Sequence, residues 1–167
     1  MLLKIQTVLP ETIYGNEQQI VKVGQTIDDF SVTLSRGTKF VLNDVLKNGP
    51  VIINFIKGTW CPYCQLHLKN LRDWQETAVR GSNRSVTILI VSNEKIANIQ
   101  DWLKNNPVPY LFASDLNGNV ARIFGVILTD EEFLKPATFL IDVDKVIRMA
   151  FAGRRKKIEL GEFDKQL

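Results

Sequence analysis

The sequence predicts an α/β domain with a central mixed β-sheet and helices on both faces. Two short apolar runs, VIINFI at 51–56 and SVTILIV at 85–91, suit strands buried on both faces, and helical periodicity follows each run. Two further segments, 27–44 and 137–152, show the alternation and central turn residues of β-hairpins. Because strands alternate with helices between these hairpins, we expect the sheet to be parallel in part and covered on both sides.

The N-terminal hairpin is predicted to turn at Arg36-Gly37, where the alternating pattern is interrupted. The segment NDVLKNG that follows can form one helical turn, with Asn43 as its N-cap and Gly49 as its end. We treat the first 20 residues as an N-terminal extension and residues 21–167 as the folded domain.

Two longer helices are expected between the central strands. Pro62 suits the first position of a helix, which Gly81 can end. The segment NEKIANIQDWLKNN predicts the next helix, capped by Asn93 and ended before Pro107. A strand, a turn and a short helix are then expected within 109–125.

Composition and charge exclude several classes of function. The chain has 167 residues and a net charge of +3, with its basic residues scattered except for RRKK at 154–157, so we expect no nucleic-acid partner. No apolar run reaches the roughly 18 residues that span a membrane, so we expect no membrane-spanning segment. The N-terminus lacks the pattern of a signal peptide, which favours a cytoplasmic location.

The two cysteines carry the clearest chemical signal. Cys61 and Cys64 stand at the start of the helix that follows a buried strand. A cysteine at the N-cap faces unpaired backbone N–H groups and the positive end of the helix dipole, both of which lower a thiol pKa. Lys57 is a candidate cation for a further lowering. Since residues three apart on a helix have Cβ atoms about 5–6 Å apart, the pair can close into a disulfide. We expect Cys61 to be exposed and attacking, and Cys64 to be shielded and resolving.

Two other interpretations of the pair were weighed. Free cysteines are often inert core residues, but this chain holds both at one strand–helix junction and none elsewhere. A zinc site needs three or four protein ligands, and only His67 accompanies the cysteines. We therefore expect no metal and no cofactor, and interpret His67 as a packed or surface residue of the helix.

The site segment NFIKGTWCPYC resembles the active-site segment of the thioredoxin superfamily, in which Trp precedes Cys-x-x-Cys. The segments 23–55, 114–126 and 135–152 are similar to the alkyl hydroperoxide reductase/thiol-specific antioxidant (AhpC/TSA) family, the peroxiredoxins. The resemblance covers about residues 22 to 155. It implies a thioredoxin-like fold with an N-terminal β-hairpin extension.

The resemblance also implies roles for individual residues. Pro136 would follow a cis peptide bond and face the cysteines. Trp60 would cover the site, Pro62 would stiffen the Cys-x-x-Cys ring, and Thr59 lies one position from the threonine that orients peroxide in typical peroxiredoxins.

Three positions depart from the family pattern. Gly58 stands at the threonine position, and Pro136 stands where typical peroxiredoxins place an arginine that polarises the peroxide bond. Asn54 stands at the position of the shielding proline, and also where thioredoxin-type reductases carry a buried acid. Arg122 and Arg148 are the candidates to replace the missing arginine.

The function implied is a thiol oxidoreductase that cycles a Cys61–Cys64 disulfide, with a preference for an antioxidant peroxidase that reduces hydroperoxides. A thioredoxin-like protein-disulfide reductase is the alternative, because the threonine and arginine are missing. A redox-inactive binding module of the same fold is a second alternative. The partners implied are a peroxide or disulfide substrate and a thioredoxin- or glutathione-type reductant. The oligomeric state is left open, a homodimer included.

Overall fold

The computed structural model of the protein describes residues 20–76, 85–127 and 132–153. Within them, strands and helices alternate as predicted. The elements are β1 (Ser31–Leu34), β2 (Lys39–Val41), α1 (Leu42–Leu46), β3 (Val51–Phe55), α2 (Pro62–Trp74), β4 (Thr87–Ser92), α3 (Ile96–Asn105), β5 (Leu111–Ser114), α4 (Asn119–Phe124), β6 (Ala137–Ile141) and β7 (Ile147–Ala152). No helix in these ranges is long and apolar enough to cross a bilayer.

The described strands form one mixed sheet of seven, in the order β2-β1-β5-β4-β3-β6-β7. Strands β3, β4 and β5 run parallel, and the remaining pairs are antiparallel. The predicted N-terminal hairpin is present and belongs to this sheet, because β1 pairs with β5 through Thr33 and Ser114. The carboxyl ends of β3 and β4 therefore meet at one edge, where the cysteine loop begins.

Strand β3 separates two apolar layers, as its continuous apolar sequence predicts. Ile52 packs with α2 and α3 on one face, whereas Ile53 and Phe55 pack with α4 on the other. All five residues of β3 are buried. Asn54 shares the face of Ile52, so the strand brings a polar side chain into the layer that contains both cysteines.

Two predicted helix caps are wrong, and in each case a distant residue explains why. Asn43 lies inside α1, and its backbone N–H donates to Asp29 Oδ1 at 2.8 Å, so an aspartate that precedes β1 in the chain satisfies this helix start. Asn93 precedes the α3 cap residue Lys95, and its amide donates to the backbone oxygen of Glu132 at 2.7 Å. Helix α3 does end before Pro107, as predicted.

Several predictions concern residues outside the described ranges. These are the N-terminal extension up to residue 19, the end of a helix at Gly81, and the basic cluster at 154–157. The division of the chain at residue 20 stays a prediction.

Candidate active site

The cysteine pair lies where β3 passes into α2. Cys61 is the N-cap of α2 and Pro62 is its first residue, as predicted. The Cys61 backbone N–H donates to the Gly58 oxygen at 3.2 Å, and the Cys61 oxygen accepts from the Gln65 backbone N–H at 3.0 Å. This turn places Cys61 and Cys64 on the inner side of the helix start, where both are free thiols.

The prediction that Cys61 is exposed is wrong. Its exposed fraction is 7%, and that of Cys64 is 4%, because the loop turns both side chains against the apolar layer under α2. Burial raises the pKa of Cys61. Hydrogen bonds from the Cys64 backbone, the Cys64 thiol and the Tyr63 backbone lower it, as does the positive charge of Lys57, and together these outweigh burial. The pKa of Cys61 is therefore below its ordinary value. The positive charge of Lys57 contributes to this lowering, as expected from the sequence.

Cys64 has the opposite electrostatic setting. Burial raises its pKa, backbone hydrogen bonds from Gly58 and Lys57 lower it, and the neighbouring Cys61 raises it again. The net pKa of Cys64 is above its ordinary value. The two thiols are therefore unlike: Cys61 is poised to be the thiolate nucleophile, and Cys64 holds its proton.

Both thiols open onto a cavity of about 520 Å³. Lys57, Tyr63, Leu66, His67 and Pro136 are among the residues that line it with the two cysteines. Tyr63 and Leu66 are each 57% exposed, so the mouth of the cavity is apolar and open to solvent.

The Thr59 side chain is bound to Glu94 and is not among the residues that line the cavity. Its hydroxyl donates to Glu94 Oε2 and its backbone N–H donates to Glu94 Oε1, both at 2.8 Å. Glu94 also accepts from Ser92 Oγ at 3.0 Å, and Gln65 donates its amide to the Thr59 oxygen at 2.7 Å. Glu94 thus holds the cysteine loop against the end of β4, and Thr59 contributes to the loop's position.

Trp60 is half exposed, and it is not among the residues that line the cavity. Its indole packs edge-on against the Phe133 ring with 5.3 Å between centroids. A Cβ added to Gly58 would collide with the Trp60 Nε1 atom. The absence of a side chain at Gly58, where typical peroxiredoxins have threonine, therefore makes room for the indole.

His67 belongs to a buried polar network under Cys64. His67 Nε2 lies 2.9 Å from Asn54 Oδ1, which also accepts from Thr138 Oγ1 at 2.7 Å. All three side chains are buried, and Asn54 Nδ2 has no hydrogen-bond partner among the described residues. The interpretation of His67 as a packed helix residue is confirmed as to burial, but packing alone does not describe its contacts.

Pro136 lines the cavity with the cysteines, as the resemblance implies. The implied cis peptide bond is wrong, because none of the described peptide bonds is cis. Lys135 donates its backbone N–H to the Val126 oxygen, and the Pro136 oxygen accepts from the Gly153 backbone N–H, both at 2.7 Å. These two hydrogen bonds hold the chain in an extended conformation where it enters β6.

Neither candidate arginine reaches the cavity. Arg148 donates to Asp142 Oδ2 at 2.6 Å, at the far end of the β6–β7 hairpin from Pro136. Arg122 donates to the Asn117 oxygen at 2.6 Å, beside α4. Lys57 is the charged side chain among the described residues that line the cavity.

Sequence reasoning missed Glu94 and the network of His67 and Asn54. Glu94 was recoverable, because parallel strands bring the loops after β3 and β4 to the same edge of the sheet. For Asn54, the signal was a single polar residue inside the apolar run VIINFI.

Comparison with known proteins places these observations in a family. Residues 23–150 match the model of the AhpC/TSA family. The thiol-disulfide oxidoreductase ResA of Bacillus cereus (strain ATCC 10987 / NRS 248) is 26% identical over 155 residues, which cover 92% of this chain and 83% of ResA. A protein of Mycobacterium tuberculosis (strain ATCC 25618 / H37Rv) that carries the name of a peroxiredoxin is 29% identical over 133 residues, which cover 76% of this chain and 82% of that protein.

Solved structures support the predicted thioredoxin-like fold. The peroxidoxin BcpB from Mycobacterium tuberculosis has a TM-score of 0.76 and 23% identity, and the match covers 86% of this chain and 94% of BcpB. At this identity the likeness shows the fold. Because the family model matches residues 23–150, the chain belongs to the AhpC/TSA family of thiol-dependent oxidoreductases.

Proposed function

We propose that the protein is a two-cysteine thiol peroxidase in which Cys61 attacks a hydroperoxide and Cys64 resolves the product. The Cys61 thiolate attacks the terminal peroxide oxygen, the O–O bond breaks, and the leaving alkoxide takes up a proton as an alcohol. Cys61 is then a sulfenic acid. Cys64 attacks its sulfur, water leaves, and a Cys61–Cys64 disulfide forms. An external dithiol or two thiols then reduce that disulfide.

The burial of Cys61 is the observation that carries this proposal. Cys61 is 7% exposed and lines the cavity, so a small hydroperoxide can reach it more readily than a disulfide on a protein surface can. The lowered pKa of Cys61 raises the fraction of the thiol present as the thiolate nucleophile, because the Cys64 hydrogen bonds and the charge of Lys57 are among the contributions that outweigh burial.

The other predicted site residues have supporting roles in this proposal. Pro62 begins the helix that lowers the Cys61 pKa, and Thr59 holds the loop through Glu94. Trp60 belongs to the same loop and packs against Phe133, and Pro136 lines the cavity. A thioredoxin- or glutathione-type reductant completes the cycle, as the family implies. A cytoplasmic location stays a prediction, and the oligomeric state stays open.

A trapping experiment tests the proposal. Cys64→Ser is mixed with a stoichiometric hydroperoxide, and the Cys61 sulfenate is followed by intact mass and a sulfenate-specific probe. We expect a rate far above that of a free thiol, and no sulfenate in Cys61→Ser. A rate equal to that of the free thiol would contradict the peroxidase.

A protein-disulfide reductase is the second candidate. It is favoured by Gly58 and Pro136 at the positions of the peroxide-orienting threonine and arginine, and by the similarity to ResA. In this case Cys64→Ser would form a mixed disulfide with a model disulfide faster than it forms a sulfenate. A variant that forms neither product would indicate the redox-inactive binding module.

A further inference from the structure

A second cavity, of about 350 Å³, lies on the side of α2 opposite the cysteine cavity. From α2 it is lined by Gln65, Leu68, Lys69 and Arg72, which share one face at about 3.6 residues per turn. The end of α3 and the segment that leads into β5 form the remaining walls. The two cavities have no described residue in common, and the proposed cysteine cycle does not use the second one.

The charged side chains that line the second cavity are both cations. Lys69 and Arg72 are three residues apart on α2, and no carboxylate is among the described lining residues. Neither cation has an ion pair within the described ranges, and the α3 carboxylate of Asp101 is paired with Lys104. Like charges at this spacing destabilise a helix, so a bound anion would relieve their repulsion.

Arg72 lies close to a buried aromatic residue of the cavity wall. Burial raises the pKa of Tyr110, and the positive charge of Arg72 acts against that rise. The Tyr110 hydroxyl donates to the Leu68 oxygen at 3.0 Å, so the phenol that feels this charge is fixed. Arg72 is itself only partly exposed. Its charge is therefore screened less by solvent than that of a fully exposed arginine.

Two side-chain amides in the cavity wall have a fixed orientation and a spare N–H group. Gln65 Nε2 donates to the Thr59 oxygen at 2.7 Å, and Asn106 Nδ2 donates to the Trp102 oxygen at 2.9 Å. Each amide nitrogen carries two hydrogens, and neither nitrogen makes a second hydrogen bond in the described part of the chain. An ammonium, a guanidinium and two amide groups with spare donors therefore line one cavity, a set that suits an oxyanion.

The remaining wall of the second cavity is apolar and aromatic. It consists of Leu68, Trp102, Val108 and the ring of Tyr110. The Trp102 ring packs against Phe112 with 6.1 Å between centroids, which holds the indole in place. A bare oxyanion would leave this part of the wall uncovered, and the volume lies in the range of roughly 300–1,000 Å³ of small-molecule sites. The lining therefore fits an anion that carries an apolar group.

We propose that the second cavity binds a small phosphate monoester, with its phosphate at Lys69 and Arg72 and its organic group against Leu68, Trp102 and Val108. A phosphate monoester carries about 1.5 to 2 negative charges at neutral pH, which matches the two cations, whereas a carboxylate carries one. This site is separate from the Cys61–Cys64 pair, so it does not depend on whether the protein reduces peroxides or disulfides.

Isothermal titration calorimetry on the full chain tests the proposal with phenyl phosphate as the probe and inorganic phosphate as the comparison. Arg72→Met and Lys69→Met each remove one of the two cations. Lys57→Met is the matched control, because it removes one positive charge from the cysteine cavity and leaves the second cavity intact. Each titration is repeated at higher salt, which weakens binding that depends on charge.

We expect one phenyl phosphate per chain, bound about 10-fold more tightly than inorganic phosphate because its ring covers apolar wall. Arg72→Met should weaken binding about 10-fold, as expected for the loss of a charge-assisted hydrogen bond. Lys69→Met should weaken it less, because Lys69 is more exposed. Lys57→Met should keep the wild-type affinity. Lys69→Met also provides the test in case Arg72→Met does not fold, since an exposed side chain is replaced.

Three results would overturn the proposal. The first is no binding of phenyl phosphate by the wild-type protein at millimolar concentration, or binding that neither Arg72→Met nor Lys69→Met weakens. The second is an equal loss of affinity in Lys57→Met, which would place the ligand in the cysteine cavity. The third is equal affinity for inorganic phosphate, which would mean that the apolar wall takes no part and that the cavity holds an adventitious ion only.

Discussion

The hydroxyl of Thr59 donates to the carboxylate of Glu94 at 2.8 Å, although 35 residues separate them in the chain. The same carboxylate accepts from the Thr59 backbone N–H and from Ser92. Three donors on one carboxylate hold the cysteine loop to the loop after the neighbouring strand. This contact sets where Cys61 lies relative to the cavity.

Replacing Glu94 by Gln should loosen the loop. The amide end of Gln would face at least one of the three donors, and an unsatisfied buried donor costs about 1–3 kcal/mol. We expect a loss of unfolding free energy in this range and faster alkylation of Cys61, because a looser loop exposes the buried thiol. Denaturant unfolding and iodoacetamide kinetics measure both. Asp101→Asn, which alters an exposed carboxylate paired with Lys104, is the control and should change neither. Equal changes in unfolding free energy and alkylation rate in the two variants would contradict the role of the Thr59–Glu94 contact.

The reactivity of Cys61 should persist to lower pH than that of an ordinary thiol. Its pKa is below the ordinary value, because the Cys64 and Tyr63 hydrogen bonds and the Lys57 charge outweigh burial. As pH falls, the thiolate fraction of Cys61 falls, and it reaches one half at this lowered pKa. Cys64→Ala and Lys57→Met should both raise the midpoint, and Cys64→Ala should raise it more, since the Lys57 charge is the weakest of these contributions.

The measurement is the pH profile of Cys61 alkylation, with the modified residue identified by mass. Lys69→Met, on the exposed side of α2, is the matched control for loss of one positive charge. An equal shift in Lys69→Met would mean that overall charge, rather than the position of Lys57, matters.

Adding a side chain at Gly58 should displace Trp60. A Cβ there meets the indole, which is half exposed and can move, so the cost should be below the roughly 1–3 kcal/mol of overpacking in a core. We expect Gly58→Ala to be destabilised and to have altered Trp60 fluorescence. In a Trp60→Ala background the same substitution should cost less, because the clash is gone. Additive free energies in this double-mutant cycle would argue against the clash.

Asp142 should stabilise the β6–β7 hairpin in a pH-dependent way. Burial raises its pKa, but hydrogen bonds from the backbone of Val146 and Asp144 and from Arg148 outweigh it, and the folded-state pKa is lowered. A lowered carboxyl pKa contributes stability above the unfolded pKa of about 3.9, and that contribution is lost as pH falls through the folded value.

Asp142→Asn tests this directly. We expect it to cost roughly 1 kcal/mol near neutral pH, the typical net value of a hydrogen bond. The difference from wild type should shrink below about pH 4, where the wild-type carboxyl becomes neutral. Urea unfolding at several pH values measures it. A difference that stays constant with pH would show that the charge of Asp142 is not involved.

Local features were predictable because local rules govern them. The continuous apolar run of β3 and the proline at the start of α2 each depend on a few consecutive residues, and the structure confirms both. The helix caps at Asn43 and Asn93 were predicted by equally local rules and are wrong. At α1 the side chain of the distant Asp29 accepts the backbone N–H, and the Asn93 side chain donates instead to the distant Glu132 backbone oxygen. Sequence spacing reveals neither contact.

The reacting pair and the frame that holds it could be read from the sequence. Cys61 and Cys64 are three residues apart at one helix start, so their proximity follows from local geometry. The surroundings of the pair depend on long-range contacts. These are the burial of Cys61, the hydrogen bonds of Glu94 to the cysteine loop, and the network in which Asn54 contacts His67 and Thr138, the latter 84 residues from Asn54. These contacts depend on which strands pair and in which register. The pairing and register are determined by the burial of both apolar layers, one on each face of the sheet.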